Sequence, residues 1–130
     1  MKILAEISVG ELFDKITILN IKTKKISDND KLQNIHTELK TLNDQSKKIS
    51  VSDTQVLNDL VLKLQQINED LWDIENFKRE CEAKKDFGES FIALARAVYI
   101  TNDQRAEVKR QINLSTGSAL IEEKSYENYC

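Results

Sequence analysis

Functional groups recur at helical spacing in three parts of the chain, and they raise the question of what chemistry it could perform. One row, at i, i+4, i+7 and i+11, consists of Asn68, Trp72, Glu75 and Arg79. A second, at i, i+3 and i+7, consists of Arg96, Tyr99 and Asp103, with Asn102 adjacent. A third is the i, i+4 pair Glu11 and Lys15. Because residues at these spacings share one face of an α-helix, each row presents its side chains together.

The first two rows combine guanidinium groups with aromatic rings, which suits an anionic or planar ligand, or a buried polar network. Antiparallel packing of two successive helices would bring Trp72 and Arg79 toward Arg96 and Tyr99. The simpler interpretation is that pairs such as Glu75 and Arg79 are solvated salt bridges worth only about tenths of a kcal/mol. Trp72 would then belong to the core or its flank. The sequence leaves both interpretations open.

The strong signatures of catalysis are missing from the sequence. It contains no glycine-rich phosphate loop, no HExxH and no GxSxG. With His36 as the one histidine, a histidine-rich zinc site and a di-iron bundle are excluded, and we expect His36 on the surface. Four acids on one helix could hold magnesium as in the all-α nucleotide pyrophosphatases, but the ordered ExxE and ExxD motifs are absent; these acids are Glu69, Asp73, Glu75 and Glu82. We therefore predict no metal and no cofactor.

Composition indicates one domain over residues 1–130, built from helices. Of its 130 residues, 40% are hydrophobic and 32% charged, and there are three glycines and no proline. So few turn residues favour long elements and an all-α fold. A net charge of −3 without a dominant basic patch argues against nucleic-acid binding, and no apolar stretch approaches a membrane span. The start of the chain does not read as a signal peptide, and Cys81 and Cys130 lack CxxC spacing, so we expect reduced thiols and a cytoplasmic location.

Four helices with narrow apolar seams should position these groups. An S-x-x-E capping box at Ser8 starts the first, which ends near Ile26, and a turn at 27–30 starts the second. A second capping box, Ser52 with Gln55, precedes a long helix to about Lys84. The fourth runs from about Glu89 to just before Gly117, with a kink or cap at 101–103.

The 3-4 spacing of the apolar residues predicts an elongated antiparallel bundle with coiled-coil-like seams. In this bundle the first two helices fold against the longer third. Residues 2–7 should be extended, and they could pair with 119–124 as a short strand.

The stretch GSALIEEKSY, residues 117–126, carries an apolar pair, Leu120 and Ile121, ahead of its charges. That pair should anchor the segment on the bundle. We therefore predict that it folds back toward the arginines of the third and fourth helices, or toward Glu11 and Lys15.

Four stretches taken together, ISVGELFDKITIL, LWDIENFKRECE, FIALARAVYITNDQRAEVKRQIN and GSALIEEKSY, resemble a family of short bacterial and phage proteins known as a domain of unknown function. The resemblance covers most of the chain and is loosest over 22–61, a variable helical hairpin. It brings no activity with it. It does mark polar residues in the matching stretches, Asp14 among them. From these stretches and the rows above we take the following as the candidate ligand or partner site: Glu11, Lys15, Trp72, Glu75, Arg79, Arg96, Tyr99, Asn102, Asp103, Arg105, Glu122, Glu123, Lys124 and Tyr126.

Two functions of different class compete for this sequence. The first is a non-catalytic helical interaction or adaptor module, whose long seams can also self-associate into a homodimer. The alternative is a binder or hydrolase of an anionic metabolite, such as a nucleotide or sugar phosphate. We expect the first.

Overall fold

The computed structural model describes residues 1–129 and shows four helices. They are α1 (Val9–Lys25), α2 (Asn29–Ser46), α3 (Thr54–Ala83) and α4 (Glu89–Thr116). The predicted all-α bundle of four helices is confirmed. Residues 1–8 belong to no helix, and neither they nor 119–124 form a strand, so the predicted strand pairing is wrong. Cys130 and the prediction made for it lie outside the described residues.

Short polar side chains determine where the helices begin. Ser8 Oγ accepts a hydrogen bond from the Glu11 backbone N–H, and Asp28 caps α2 in the same way through Lys31 N–H. At α3 the cap is Asp53, which accepts from Val56 N–H, so the predicted Ser52 capping box is one residue out of register. The carboxyl group of Asp53 supplies the same first-turn acceptor, and an acidic residue is favoured at a helix N-terminus.

The fourth helix is uninterrupted from Glu89 to Thr116, so the predicted kink or cap at 101–103 is absent. Asn102 and Asp103 are tolerated within the helix because their side chains bond other groups rather than competing for the local backbone. Gly117 ends α4 in the left-handed region at φ 64°, as the sequence indicated.

The apolar core lies where α3 and α4 pack together, with α1 beside them. Its buried cluster consists of Leu57, Leu64, Ile67, Val108 and Ile112. Among the described helices, α2 approaches α1 alone, so the prediction that it folds against α3 is wrong. The reason is its narrow apolar stripe, in which Ile35 is the one buried residue.

Two adjacent stripes of α1 are buried rather than one. The apolar stripe contains Leu12, Ile16 and Leu19, and the second stripe, at 4-3-4 spacing, contains Gly10, Asp14, Thr17 and Ile21. The second stripe carries polar groups into the interior, and its partners on α3 and α4 form the site described below.

Two sequence-based expectations about single residues agree with the structure. His36 is exposed, and Cys81 is a half-buried free thiol. Across residues 1–129, none of the helices combines the length and apolarity needed to span a bilayer.

Candidate functional site

The first turn of α1 docks on the last turns of α4 through its backbone. The Gly10 N–H donates to Asn113 Oδ1 at 2.6 Å, and the Val9 N–H donates to Ser118 Oγ at 3.1 Å. The Glu11 N–H is already bonded to Ser8 Oγ. Because the first N–H groups of a helix have no partner within it, this docking satisfies them from another part of the chain. It also fixes which face of α1 meets α4.

One turn further along α1, the Asp14 carboxylate lies at the centre of a buried charge cluster. Asp14 retains 1% of its accessible surface. Oδ1 accepts from Arg105 Nε at 2.8 Å, and Oδ2 accepts from Arg105 Nη2, which makes the pair bidentate. Lys109 Nζ lies 3.8 Å from Oδ2. A carboxylate taken out of water needs such partners to remain ionised.

The third helix contributes an amide to the same cluster. Asn68 Nδ2 donates to Asp14 Oδ1 at 3.0 Å and to Thr17 Oγ1 at 2.9 Å. Thr17 Oγ1 in turn donates to the backbone carbonyl of Asp14 at 2.8 Å. Every buried side-chain nitrogen and oxygen atom in residues 1–129 has a hydrogen-bond partner. The polar groups therefore join α1, α3 and α4 without leaving an unsatisfied donor or acceptor in the interior.

Lys109 links the cluster to the end of the chain. Its ammonium donates to Glu11 Oε2 at 2.7 Å and to Glu122 Oε2 at 3.2 Å. Glu11 was expected to complete the capping box with Ser8, but its carboxylate instead bonds Lys109 and lies 3.8 Å from Lys15 Nζ. Arg105, Lys109, Asp14, Glu11 and Glu122 thus carry two positive and three negative charges in direct contact.

The pKa directions in the cluster show that its charged forms are stabilised. Burial alone would raise the pKa of Asp14, but hydrogen bonds from Arg105 and Asn68, with the charges of Arg105 and Lys109, hold it below its usual value of 3.8. Burial likewise disfavours the Lys109 ammonium, yet Glu11, Asp14 and Glu122 raise its pKa above 10.5. The hydrogen bond to Asp14 raises the pKa of Arg105 against its own desolvation.

These pKa directions predict that the free energy of unfolding is nearly constant between about pH 5 and pH 9 and falls at lower and at higher pH. Since the Asp14 pKa is lower in the folded chain, its contribution is present above pH 3.8 and is lost as the pH falls through the folded pKa. Since the Lys109 pKa is higher in the folded chain, its contribution is present below pH 10.5 and is lost as the pH rises through the folded value. Urea midpoints measured across this range test the prediction. An acid limb equally steep in Asp14→Asn would contradict it, because that variant has no carboxylate at position 14.

The segment that follows α4, residues 118–129 and called the terminal segment from here on, folds back along α4. Glu122 bonds Lys109, Glu123 Oε1 accepts from Arg110 Nη1 at 3.1 Å, and Tyr129 Oη donates to Asp103 Oδ2 at 2.6 Å. The predicted fold-back is therefore present, with Lys109 and Arg110 of α4 as partners. The predicted apolar anchor is wrong, because Leu120 and Ile121 are both exposed and polar contacts hold the segment instead.

Three cavities border the terminal segment, one of them at Tyr129 alone. The other two are each lined by three or more of its residues. The smaller of these, of about 340 Å³, is lined by charged groups that include Lys109, Arg110 and Glu123. The larger, of about 610 Å³, is called the tyrosine cavity from here on; its lining is Tyr99, Asn102, Asp103, Arg105, Lys124, Tyr126, Glu127 and Tyr129. Asp103 and Lys124 line both cavities, so the two are neighbours along α4.

The structure divides the sequence-predicted site residues into three groups. Glu11, Arg105 and Glu122 belong to the charge cluster, with Lys15 beside Glu11. Tyr99, Asn102, Asp103, Lys124 and Tyr126 line the tyrosine cavity, and Glu123 lines the smaller one. A third group lines neither cavity and consists of Trp72, Glu75, Arg79 and Arg96. Glu75 Oε1 lies 3.6 Å from Lys78 Nζ, so Glu75 pairs with Lys78 rather than with Arg79. Arg79 is exposed. A role for this third group stays a prediction.

The rows of functional groups did not single out Asp14, and they missed Lys109 and Asn113. Asp14 and Lys109 look like surface charges because most charged residues in an amphipathic helix are solvated. The available signal was the 4-3-4 spacing of Gly10, Asp14, Thr17 and Ile21, which marks a second buried stripe. Across the described residues, no group of three or more His, Cys, Asp or Glu side chains is arranged to hold a metal ion.

Comparison with known proteins places the whole chain in one family. Residues 1–130 match the family of unknown function DUF6165, so the chain belongs to that family. Searches of curated proteins and of solved structures gave no significant match.

Proposed function

We propose that this member of the DUF6165 family is a non-catalytic helical interaction module, and that it self-associates through the free end of its α3–α4 hairpin. We call this part of the hairpin, residues 72–102, the arm. The observation that carries the proposal is that none of the described residues of the arm is buried, although nearly all of them are helical.

The apolar residues between the two helices of the arm are only partly buried, and other large apolar side chains of the arm are exposed. Phe77, Phe87, Ile92, Tyr99 and Ile100 are all exposed, and Ile92 retains 54% of its accessible surface. Single exposed apolar residues are ordinary, but several on one two-helix projection are typical of an interaction surface. Two helices alone cannot cover both of their apolar faces, and a second pair would complete the burial.

A second copy of this chain is the partner that suits the arm best. The arm contains six acidic and five basic residues, so its net charge is −1 and two arms do not repel one another strongly; the acids are Asp73, Glu75, Glu80, Glu82, Asp86 and Glu89, and the bases are Lys78, Arg79, Lys84, Lys85 and Arg96. Seam residues at 3-4 spacing favour a shallow, coiled-coil-like approach of helices.

The state of the ionisable groups supports a non-catalytic role. Asp14, Arg105 and Lys109 bond one another and their neighbours, so the cluster stabilises the fold and holds no acid or base ready to exchange a proton with a substrate. The free Cys81 thiol and the mixed surface charge fit a cytoplasmic protein that does not bind nucleic acid.

The oligomeric state of the purified chain tests this function. Light scattering after size exclusion should give a molar mass that rises with concentration toward twice the 15.0 kDa of one chain. Ile92→Glu should hold the mass at 15.0 kDa, because a charge would be buried in the interface.

The matched control is Leu62→Glu, which places the same charge at an exposed leucine of α3 outside the arm. It should associate as the wild type does. A wild-type chain that remains a monomer at every concentration, or an equal loss in both variants, would contradict the proposal.

A further inference from the structure

The tyrosine cavity is shaped by the terminal segment, which runs back along α4 between two anchors. At one end Glu123 bonds Arg110, and at the other Tyr129 bonds Asp103 and packs edge-on against Tyr99 with ring centroids 5.2 Å apart. Between these anchors the segment spans the cavity of about 610 Å³. This volume is within the range of small-molecule sites.

The charges around the cavity argue against a strongly anionic ligand. Arg105 already uses Nε and Nη2 on Asp14, and its Nη1 lies 3.4 Å from Asn102 Oδ1. Lys124 is then the cation that remains for a ligand, and it shares the lining with two carboxylates, Asp103 and Glu127. A triphosphate would meet at least as much repulsion as attraction here.

The aromatic lining favours a flat ligand. Tyr126 is 81% exposed at the cavity, and Tyr99 and Tyr129 are also exposed there. A planar ring that covers the face of Tyr126 would remove apolar surface of both partners from water. Stacking of a nucleobase on an aromatic side chain is an established way to gain affinity without a charged contact.

The polar lining can recognise the edges of such a ligand. Asn102 Nδ2 offers a donor, and Asn102 Oδ1 keeps a second lone pair beside its 3.4 Å contact with Arg105. Carboxylates accept from exocyclic amines or from the hydroxyls of a ribose. Tyr129 occupies Oδ2 of Asp103, which leaves Oδ1 for a ligand.

We propose that the tyrosine cavity binds a nucleoside, with its base stacked on Tyr126 and its polar edges on Asn102, Asp103 and Glu127. The site borders the arm, since Tyr99 and Asn102 belong to both, but its contacts at Tyr126, Asp103 and Glu127 lie outside the arm. Its readout is small-molecule affinity rather than molar mass, so either proposal can fail alone.

Ligand-observed NMR titration of the full-length chain with adenosine, guanosine, cytidine and uridine tests the site. At least one nucleoside should bind, and Tyr126→Ala should weaken its Kd roughly tenfold or more. Tyr126→Phe should retain binding because the ring is kept. Phe87→Ala, which removes an exposed ring outside the cavity, should also leave the Kd unchanged.

Three results would overturn the proposal. One is that no nucleoside binds. Another is that the affinity is the same in Tyr126→Ala, which would place binding elsewhere. The third is that the matching triphosphate, or a methyl glucoside included as a non-planar probe, binds roughly tenfold more tightly than the nucleoside. Circular dichroism of Tyr126→Ala should match the wild type, since the side chain is almost wholly exposed.

Discussion

Replacing Asp14 with asparagine is expected to lower the free energy of unfolding by about 3 kcal/mol. Asparagine has nearly the shape of aspartate but no charge, so Arg105 and Lys109 would lose the carboxylate between them. Its amide NH₂ would also face a donor, either Arg105 or Asn68 Nδ2, where Asp14 presents acceptors. Urea denaturation at neutral pH gives the measurement.

The matched control is Asp44→Asn, which makes the same chemical change at an exposed ion pair with Lys40 and Lys47. Its urea midpoint should stay close to that of the wild type, because solvent screens such pairs. A third variant, Asp14→Leu with Arg105→Met, removes both partners and should be more stable than Asp14→Asn, since no unpaired buried charge remains. Equal midpoints for Asp14→Asn and Asp44→Asn would show that the cluster is not a stabilising element.

The helices could be predicted from the sequence because their signals are local. Apolar residues at 3-4 spacing and short polar caps act within a few positions of one another, and Ser8 and Gly117 are where the pattern placed them. The error at Ser52 is of the same local kind, since two adjacent residues, Ser52 and Asp53, can both cap a helix.

The charge cluster could not be predicted in the same way because its pairs are distant along the chain. Asp14 and Arg105 are separated by 91 positions, and no local spacing connects them. An aspartate in an amphipathic helix is expected on the solvent side. The burial of Asp14 follows only from the packing of α3 and α4 against that side of α1. The terminal segment is intermediate: it folds back as predicted, but its apolar pair stays exposed, and Lys109 as the partner of Glu122 depends on the register of α4.

Gly10 should be the position at which a single methyl group is most damaging. A Cβ there would lie 2.5 Å from the Lys109 carbonyl oxygen and 2.9 Å from Asn113 Oδ1. The first contact is with helical backbone, which cannot rotate away, so α1 would have to move off α4. That shift would strain the Gly10–Asn113 hydrogen bond and the approach of Asp14 to Arg105.

Gly10→Ala therefore sets two effects against each other. Alanine stabilises a helix interior by about 0.5–1 kcal/mol relative to glycine. Overpacking against fixed neighbours costs about 1–3 kcal/mol, and here it also disturbs a buried charge cluster. We expect the second effect to dominate, with a net loss of about 2 kcal/mol in the free energy of unfolding, measured by urea denaturation.

The other two glycines provide a graded control for this prediction. Gly117→Ala meets no neighbour within 4 Å but must keep φ at 64°, so it should cost about 1 kcal/mol. Gly88→Ala meets one exposed side-chain oxygen, of Asp86, at 3.3 Å, and should change stability by less than about 1 kcal/mol. The expected order of loss is Gly10, then Gly117, then Gly88. If Gly10→Ala instead raises the midpoint, helix propensity dominates, and the close approach of α1 to α4 cannot be what holds Asp14 against Arg105.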